Sequence, residues 1–152
     1  MIINDISTSD YGRLIEIWDK SVRATHDFLT EKDIEYLRPL ILEEYFAAVE
    51  LRCVKDSHGN ILGFSGVADG NLEMLFVDPQ SMGQGVGSML CRYAIENSAV
   101  TKVDVNEQNP RALGFYEHIG FRVVGRSDLD GQGRPFPLLH MQLAGCSNRS
   151  KV

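Results

Sequence analysis

The sequence predicts an α+β domain with a mixed, largely antiparallel central sheet flanked by about four helices. Three observations favour this class. Apolar residues recur at helical spacing in the first third of the chain and again after residue 85. Short strand-like runs are joined by tight turns such as DSHGN. One predicted helix connects two such runs in the manner of a parallel crossover. The predicted order is β-α-α-β-β-β-α-β-α-β-β.

The first 50 residues are predicted to be mainly helical. Ile2, Ile3 and Ile6 indicate a short strand, and helical spacing of apolar residues follows over 11–22. The segment SVRATHDFL at 21–29 breaks this period and predicts a loop. A capping-box pattern, with Thr30 three residues before Asp33, then begins a second helix that we expect to reach residue 49.

The rest of the chain alternates between strands and helices. Asp78-Pro79 closes one strand because proline cannot donate to a ladder. Asn109-Pro110 predicts a cap followed by proline in the first helical turn, and Gly120 suits the end of that helix. The elements predicted in this region are strands over 51–55, 61–68 and 72–77, a helix over 86–99, a strand over 103–105, a helix over 110–119, and strands over 121–124 and 136–143.

Length and composition indicate one domain and exclude several function classes. The chain has 152 residues, for which we expect a single domain over 1–144 and a polar tail over 145–152. A net charge of −6 argues against general nucleic-acid binding, which needs a basic face. No apolar run could span a bilayer, so no membrane association is expected. Three unpaired cysteines and the lack of a signal sequence predict a cytoplasmic protein. No metal-ligand spacing is present, and no metal is expected.

The stretch MLFVDPQSMGQGVGSML, residues 74–90, places a glycine-dense corner between a strand and a helix. Glycines turn the chain sharply, and the helix start offers unpaired N–H groups, so the stretch predicts an anion site, such as one for a pyrophosphate. It lacks the Gly-Lys-Ser/Thr of a P-loop, and its GxGxG differs from the GxGxxG of dinucleotide-binding folds. A plain tight turn and a dinucleotide-dependent enzyme remain open from these residues alone.

Two motifs together resemble the GNAT acetyltransferase superfamily. QSMGQG at 80–85 is similar to its R/Q-x-x-G-x-G/A signature, with glutamine in place of the more frequent arginine. NPRALGFYEHIGF at 109–121 is similar to its second hallmark, an asparagine and a tyrosine followed by Gly-Phe. The element order over 1–143 agrees with that fold. ATHDFL at 24–29 and GRPFPLL at 133–139 further resemble one bacterial subgroup.

The resemblance implies acetyl-coenzyme A as the cosubstrate and an amine as the acceptor. It implies that the strand before the loop pairs with the pantetheine arm, that the loop backbone binds the pyrophosphate, and that Asn109 contacts the arm. It also implies that Tyr116 protonates the leaving thiolate, whereas helical periodicity alone favours a core tyrosine. The implied cofactor residues are Leu75, Phe76 and Val77 on the strand, Ser81, Met82, Gly83, Gln84, Gly85 and Val86 in the loop, and Asn109.

The general base stays open between three residues and a water chain. Glu73 lies on the strand before the loop, and alternation would place it on the face opposite Leu72, Met74 and Phe76. Asp104 lies on the next strand, and His26 in the loop between the first helices has a suitable intrinsic pKa.

The acceptor site is expected near the loop between the first two helices, with His26, Asp27 and Phe28 as its candidate residues. The acceptor is a small-molecule or a protein amine, and relatives of this kind include homodimers. We expect direct transfer in a ternary complex, because Cys91, the candidate for an acetyl-cysteine, looks structural. The alternative function is a non-catalytic acyl-coenzyme A sensor or interaction module.

Overall fold

The structure, a computed structural model, describes residues 1–144. The tail predicted at 145–152 lies outside the described residues. Seven strands and five α-helices, together with short 3₁₀ and π-helical turns, make up residues 1–144. The strands are β1 (Ile2–Asp5), β2 (Glu50–Lys55), β3 (Ile61–Ala68), β4 (Asn71–Val77), β5 (Lys102–Asn106), β6 (Phe121–Ser127) and β7 (Leu138–Leu143). The helices are α1 (Tyr11–Thr25), α2 (Glu31–Leu40), the short α3 (Phe46–Ala48), α4 (Val86–Asn97) and α5 (Pro110–Ile119).

All seven strands form one sheet in the order β1-β2-β3-β4-β5-β7-β6. Every neighbouring pair is antiparallel except β4 and β5, which are parallel and joined through α4. The predicted fold class, a mixed and largely antiparallel sheet with flanking helices, is confirmed.

Helices cover both faces of the sheet. One core cluster packs α1, α2 and α3 against β2, β3 and β4, with Trp18, Phe46 and Phe64 at its centre. Two further clusters lie on the opposite face beneath α4 and α5. Cys53 and Val54, adjacent on β2, belong to clusters on opposite faces, as the alternation of a strand requires. Burial on both sides explains why β3 reads as an almost continuous apolar run.

A bulge in β4 corrects the predicted alternation of that strand. Gly66 pairs with Met74 and Val67 pairs with Leu72, so Glu73 is an extra residue without a partner on β3. Met74 and Phe76 consequently pack with the α1 and α2 cluster, whereas Leu72 packs beneath α4 and α5. The prediction that Leu72, Met74 and Phe76 share one face is wrong. An inserted residue moves every side chain that follows it in the strand to the opposite face of the sheet.

Both N-terminal helical regions differ from the predicted bounds. The first helix continues to Thr25, whose hydroxyl donates to the Ser21 carbonyl (2.8 Å) at the end of the helix, so the predicted loop is shorter. The second region is not one uniform helix. Pro39 lies within α2, and a π-helical turn over Ile41–Tyr45 separates α2 from α3. Proline removes one intrahelical hydrogen bond, and this irregular turn follows directly after it.

The helices of the described chain are too short or too polar to cross a lipid bilayer; none of those within residues 1–144 combines the required length and hydropathy.

Candidate active site

The candidate active site begins where β4 and β5 separate. These two strands pair at only two positions, Asn71 with Lys102 and Leu72 with Val103. On the other side of β4, the Asp78 amide donates to the Leu62 carbonyl (2.9 Å). Antiparallel pairs alternate between bonded and non-bonded residues, so the backbone groups of Leu75 and Val77 point away from β3, into the gap. The gap therefore presents unpaired strand N–H and C=O groups to a ligand.

The glycine-dense corner after β4 forms an open cradle at the start of α4. Gly83 and Gly85 have φ angles of +81° and +86°, and an added Cβ at either position would meet no heavy atom within 4 Å. Gly85 caps the twelve-residue helix α4, whose first N–H groups have no intrahelical partner. A cavity of about 310 Å³ lies over this corner. Its lining residues are Val77, Ser81, Met82, Gly83, Gly85, Val86, Gly87, Ser88 and Phe115. Gln84 is exposed and is not among them.

An ion pair between the buried Asp78 and the half-buried Arg13 holds the beginning of this corner. The Asp78 carboxylate accepts from the Gln80 amide (3.0 Å) and from the Arg13 guanidinium (2.9 Å). Arg13 also donates to the Ile61 carbonyl (2.9 Å) and so links α1, β3 and the corner. Burial acts to raise the pKa of Asp78, but the Gln80 N–H and Arg13 outweigh it and leave that pKa below its ordinary value. Asp78 is therefore ionised in the folded protein at neutral pH.

A second cavity, of about 280 Å³, passes through the gap between β4 and β5 and is here called the central cavity. It brings together the predicted residues Leu75, Phe76, Val77, Met82, Asn109, Tyr116 and His26. Ser21, Thr25, Gly87, Arg111, Ala112 and Phe115 complete its lining. Residues from α1, β4, α4 and α5 thus converge on one site from both faces of the sheet.

Tyr116 lies in the middle of α5 and is almost fully buried, with an exposure of 8%. Its ring packs edge-on against Phe115 and Phe121. Burial, and secondarily the nearby Cys91, raises the pKa of its phenol far above the ordinary value. The phenol consequently keeps its proton throughout the neutral and mildly basic pH range, as a proton donor must.

Asn109 combines a structural contact with a place in the cavity. Its side-chain oxygen accepts from the Ala112 amide (3.2 Å) and caps α5, with Pro110 in the first turn, as predicted. The side-chain NH₂ group is not used by this cap. The asparagine can therefore donate to a carbonyl in the central cavity while its oxygen holds the helix that carries Tyr116.

His26 immediately follows α1 and faces the central cavity. Its Nδ1 lies 2.7 Å from the Thr25 hydroxyl oxygen. That hydroxyl already donates to the Ser21 carbonyl, so it accepts from Nδ1–H, which leaves Nε2 with a free lone pair. Burial lowers the pKa of the imidazole, against a smaller opposing effect of Asp27. His26 is therefore a neutral proton acceptor at pH 7.

The other predicted residues lie outside the central cavity. Glu73 is exposed and borders a neighbouring cavity. The Asp104 carboxylate lies 2.7 Å from His140 Nδ1, and His140 Nε2 lies 2.6 Å from the Ser127 hydroxyl oxygen. These three side chains are on the sheet face opposite Val103 and Val105. Asp27 is exposed. The ring of Phe28 packs at a tilt against those of His26 and Phe136, with ring centroids 5.2 Å and 5.9 Å apart.

Sequence reasoning missed several residues that build the site. Thr25, which sets the tautomer of His26, was included in the predicted loop; a hydroxyl next to a histidine is the signal that pointed to it. Asp78 was interpreted only as the end of a strand, and its partner Arg13 is 65 residues away. Arg111 and Phe115 lie within the second hallmark motif but carried no role. No cluster of three metal-binding side chains occurs within residues 1–144.

Comparisons with known proteins agree with this geometry. The model of the acetyltransferase (GNAT) domain matches residues 24–144. Peptidyl-lysine N-acetyltransferase YjaB of Salmonella typhimurium is 38% identical over 129 residues, covering 85% of this chain and 88% of that protein. The Escherichia coli protein of the same name is 36% identical, covering 87% of this chain and 89% of its own length.

Solved structures show the same fold. The solution structure of apo-form YjaB from Escherichia coli superposes with a TM-score of 0.83 at 35% identity and covers 96% of this chain and 100% of its own. A crystal structure of PaiA N-acetyltransferase from Thermoplasma acidophilum in complex with coenzyme A has a TM-score of 0.72 at 18% identity, covering 93% and 98% of the two chains. The resemblance drawn from the two motifs is confirmed, and the chain belongs to the GNAT family as an N-acetyltransferase.

Proposed function

We propose that this enzyme transfers an acetyl group from acetyl-coenzyme A to the side-chain amine of a lysine in a protein or peptide. The observation that carries the proposal is the central cavity, in which a neutral imidazole and a protonated phenol share one space beside unpaired strand backbone. The named activity of the YjaB relatives, peptidyl-lysine acetylation, supports lysine over a small-molecule amine.

The residues of the glycine corner and the gap fit acetyl-coenzyme A. Backbone N–H groups around Gly83 and Gly85, with the N-terminus of α4, suit a pyrophosphate, and no Cβ obstructs its approach. The free backbone groups of Leu75 and Val77 suit the amides of a pantetheine arm, to which Asn109 can also donate. When bound, acetyl-coenzyme A supplies the activated acetyl group.

Each chemical role falls to a residue of the central cavity. His26 Nε2 accepts the proton that the lysine ammonium must lose before it can attack. A backbone N–H of β4 polarises the acetyl carbonyl. Tyr116 holds the proton that the departing sulfur needs. Glu73 and Asp104 are the weaker candidates for the base, because neither lines the cavity that contains Tyr116.

Direct attack by the amine is favoured over an acetyl-cysteine intermediate. Cys91 is fully buried in the core cluster beneath α4 and α5, and burial raises the pKa of its thiol to about 12. A thiol that holds its proton at neutral pH is a poor nucleophile. The second candidate function, an acyl-coenzyme A sensor without turnover, would use the same cradle but would need neither His26 nor Tyr116.

The test begins with ligand binding and then measures turnover. Thermal unfolding would be followed with acetyl-coenzyme A and with NAD and ATP as controls; a ligand at 100 times its Kd raises the unfolding free energy by about 2.7 kcal/mol. Release of free coenzyme A thiol would then be measured with a lysine peptide, spermidine and free amino acids as acceptors.

Matched variants separate the enzyme from the sensor. Tyr116→Phe and His26→Gln should each lower kcat by about a hundredfold or more. The controls are Tyr93→Phe on α4 and His58→Gln in the β2–β3 turn, neither of which lines the central cavity. Binding of acetyl-coenzyme A without thiol release for any amine would support the sensor, and full activity of both cavity variants would remove these two residues from the mechanism.

A further inference from the structure

A third cavity lies beside the central cavity, between the second helical region, β4 and the connection from β6 to β7. It has a volume of about 430 Å³ and is here called the side cavity. Its lining residues are Leu37, Tyr45, Ala48, Val49, Ala68, Glu73, Met74, Asp130, Gly131 and Gln132. Both cavities border β4: Glu73 and Met74 line the side cavity, and Phe76, which packs in the same core cluster as Met74, lines the central cavity.

Contacts from the β6–β7 connection hold the outer wall of the side cavity in place. Arg134 forms an ion pair with Asp33 on α2 and lies over the ring of Tyr36, 5.0 Å from its centroid. Gln132 hydrogen-bonds the Tyr45 hydroxyl. The connection is therefore attached to the second helical region at two points, and the one basic side chain involved is already paired with a carboxylate.

The chemistry of the lining combines apolar walls with two carboxylates. Leu37, Val49 and Met74 provide the apolar part, and the bulge turns Glu73 toward this side of the sheet. Asp130 uses one oxygen, Oδ1, to accept from the Gln132 and Arg134 amides (both 2.9 Å), which leaves Oδ2 for another donor. No lysine, arginine or histidine is among the described residues that line this cavity. An aliphatic stem with a cationic tip fits such a lining.

We propose that the side cavity binds a second basic side chain of the acceptor, a lysine or arginine close in sequence to the lysine that is acetylated. This inference rests on the proposed function. Along β4 the residues from Glu73 to Phe76 span at most about 10 Å, and less where the bulge at Glu73 shortens the strand, so an extended peptide covers this distance in two to three residues. The selected acceptor is therefore a lysine with a basic residue two or three positions away.

The experiment uses peptides with one acceptor lysine and one arginine placed between positions −3 and +3. An arginine cannot compete as an acceptor because its guanidinium stays protonated. The matched peptides carry glutamine at the same position. We expect kcat/KM to be about fivefold higher for the arginine peptide at one of the positions two or three residues away, and the preference to shrink as salt is raised.

Two variants locate the preference. Asp130→Asn keeps the side-chain oxygen that accepts the two loop amides and removes only the charge, so it should reduce the arginine preference while leaving turnover of the glutamine peptide unchanged. Glu44→Gln makes the same change of charge on an exposed residue outside the lining and should leave the preference intact. Calorimetric titration of both peptides into the enzyme with coenzyme A measures the same preference without turnover.

The outcomes distinguish this inference from the proposed function. Equal kcat/KM and equal affinity for arginine and glutamine peptides would overturn the inference, as would a preference that survives Asp130→Asn. If no lysine peptide is acetylated, the proposed function fails, and the titration still decides whether the side cavity selects a cation.

Discussion

Replacing Gly85 with alanine would test the glycine corner with a single methyl group. Gly85 has a φ of +86°, and its added Cβ would meet no heavy atom within 4 Å. Steric crowding inside the protein is therefore not a source of the expected effect. Two effects are expected instead. The left-handed backbone conformation costs an L-residue about 1–2 kcal/mol of stability. The added methyl group also obstructs a ligand that approaches the loop.

The two effects have different sizes and can be separated. Alanine also restricts the unfolded chain, which offsets about 0.4–1 kcal/mol, so we expect a net loss of about 1 kcal/mol in unfolding free energy. For a domain of this length that lowers Tm by about 2–4 °C. Loss of one charge-assisted hydrogen bond to a phosphate should weaken acetyl-coenzyme A binding about tenfold or more.

The assay is thermal unfolding with and without acetyl-coenzyme A at 100 times the wild-type Kd. The wild-type protein should gain about 2.7 kcal/mol from the ligand, and a tenfold weaker variant should gain about 1.4 kcal/mol. Gly59→Ala is the matched control, because Gly59 has a φ of +82° and equally open surroundings but lies in the β2–β3 turn. Both variants should lose the same stability without ligand, and only Gly85→Ala should lose ligand affinity.

Equal ligand-induced stabilisation in the wild-type protein and in Gly85→Ala would refute the assignment of the corner as a phosphate cradle. A similar loss of affinity in Gly59→Ala would refute it as well, because the effect would then follow from lower stability rather than from position.

Further predictions concern three neighbouring side chains. Tyr116→Phe should lower kcat and leave the Kd of acetyl-coenzyme A within about twofold, measured by turnover and calorimetry, because only a proton donor is lost. Because His26 is proposed as the base, kcat should fall as the pH drops through its pKa, which burial lowers below the ordinary 6.5, and in His26→Gln this acidic limb of the pH profile of kcat should disappear. The lowered pKa of His26 also contributes to the free energy of unfolding. This contribution is fully present above about pH 6.5 and is lost as the pH falls, because the unfolded chain binds the proton more readily than the folded protein does. Asp78→Asn keeps an acceptor for the Gln80 amide but removes the charge that pairs with Arg13, so denaturant unfolding should show a loss of about 1–3 kcal/mol in unfolding free energy, and an unchanged midpoint would contradict the role of that pair.

The sequence was sufficient for the features that depend on local chemistry. The capping box at Thr30, the cap at Asn109 and the glycine corner after β4 each follow from residues within a few positions of one another, and each is present in the structure. The mixed, largely antiparallel character of the sheet followed less directly, from the order of elements and the single crossover. These predictions succeeded because backbone hydrogen bonding at helix ends and turns is satisfied locally.

Features that depend on distant partners were not predictable in the same way. The bulge at Glu73 exists only relative to the register of β3, and no signal in β4 itself marks it. The ion pair between Arg134 and Asp33, 101 residues apart, is likewise a result of packing. In the candidate site, the sequence left Glu73, Asp104, His26 and a water chain open as the base, and the structure adds that His26 lines the cavity with Tyr116; its role as the base stays a prediction.

The short join between β4 and β5 has a mechanical consequence. Backbone pairing connects the strands β1–β4 to the strands β5–β7 through only two residue pairs, so the sheet consists of two halves with little direct pairing between them. A molecule bound in the gap would contact both halves, and its binding free energy would then also oppose their separation. Amides in β5 and β7, remote from the glycine corner, should for that reason exchange with solvent more slowly when acetyl-coenzyme A is present. The cosubstrate would in this way stabilise the sheet to which it binds.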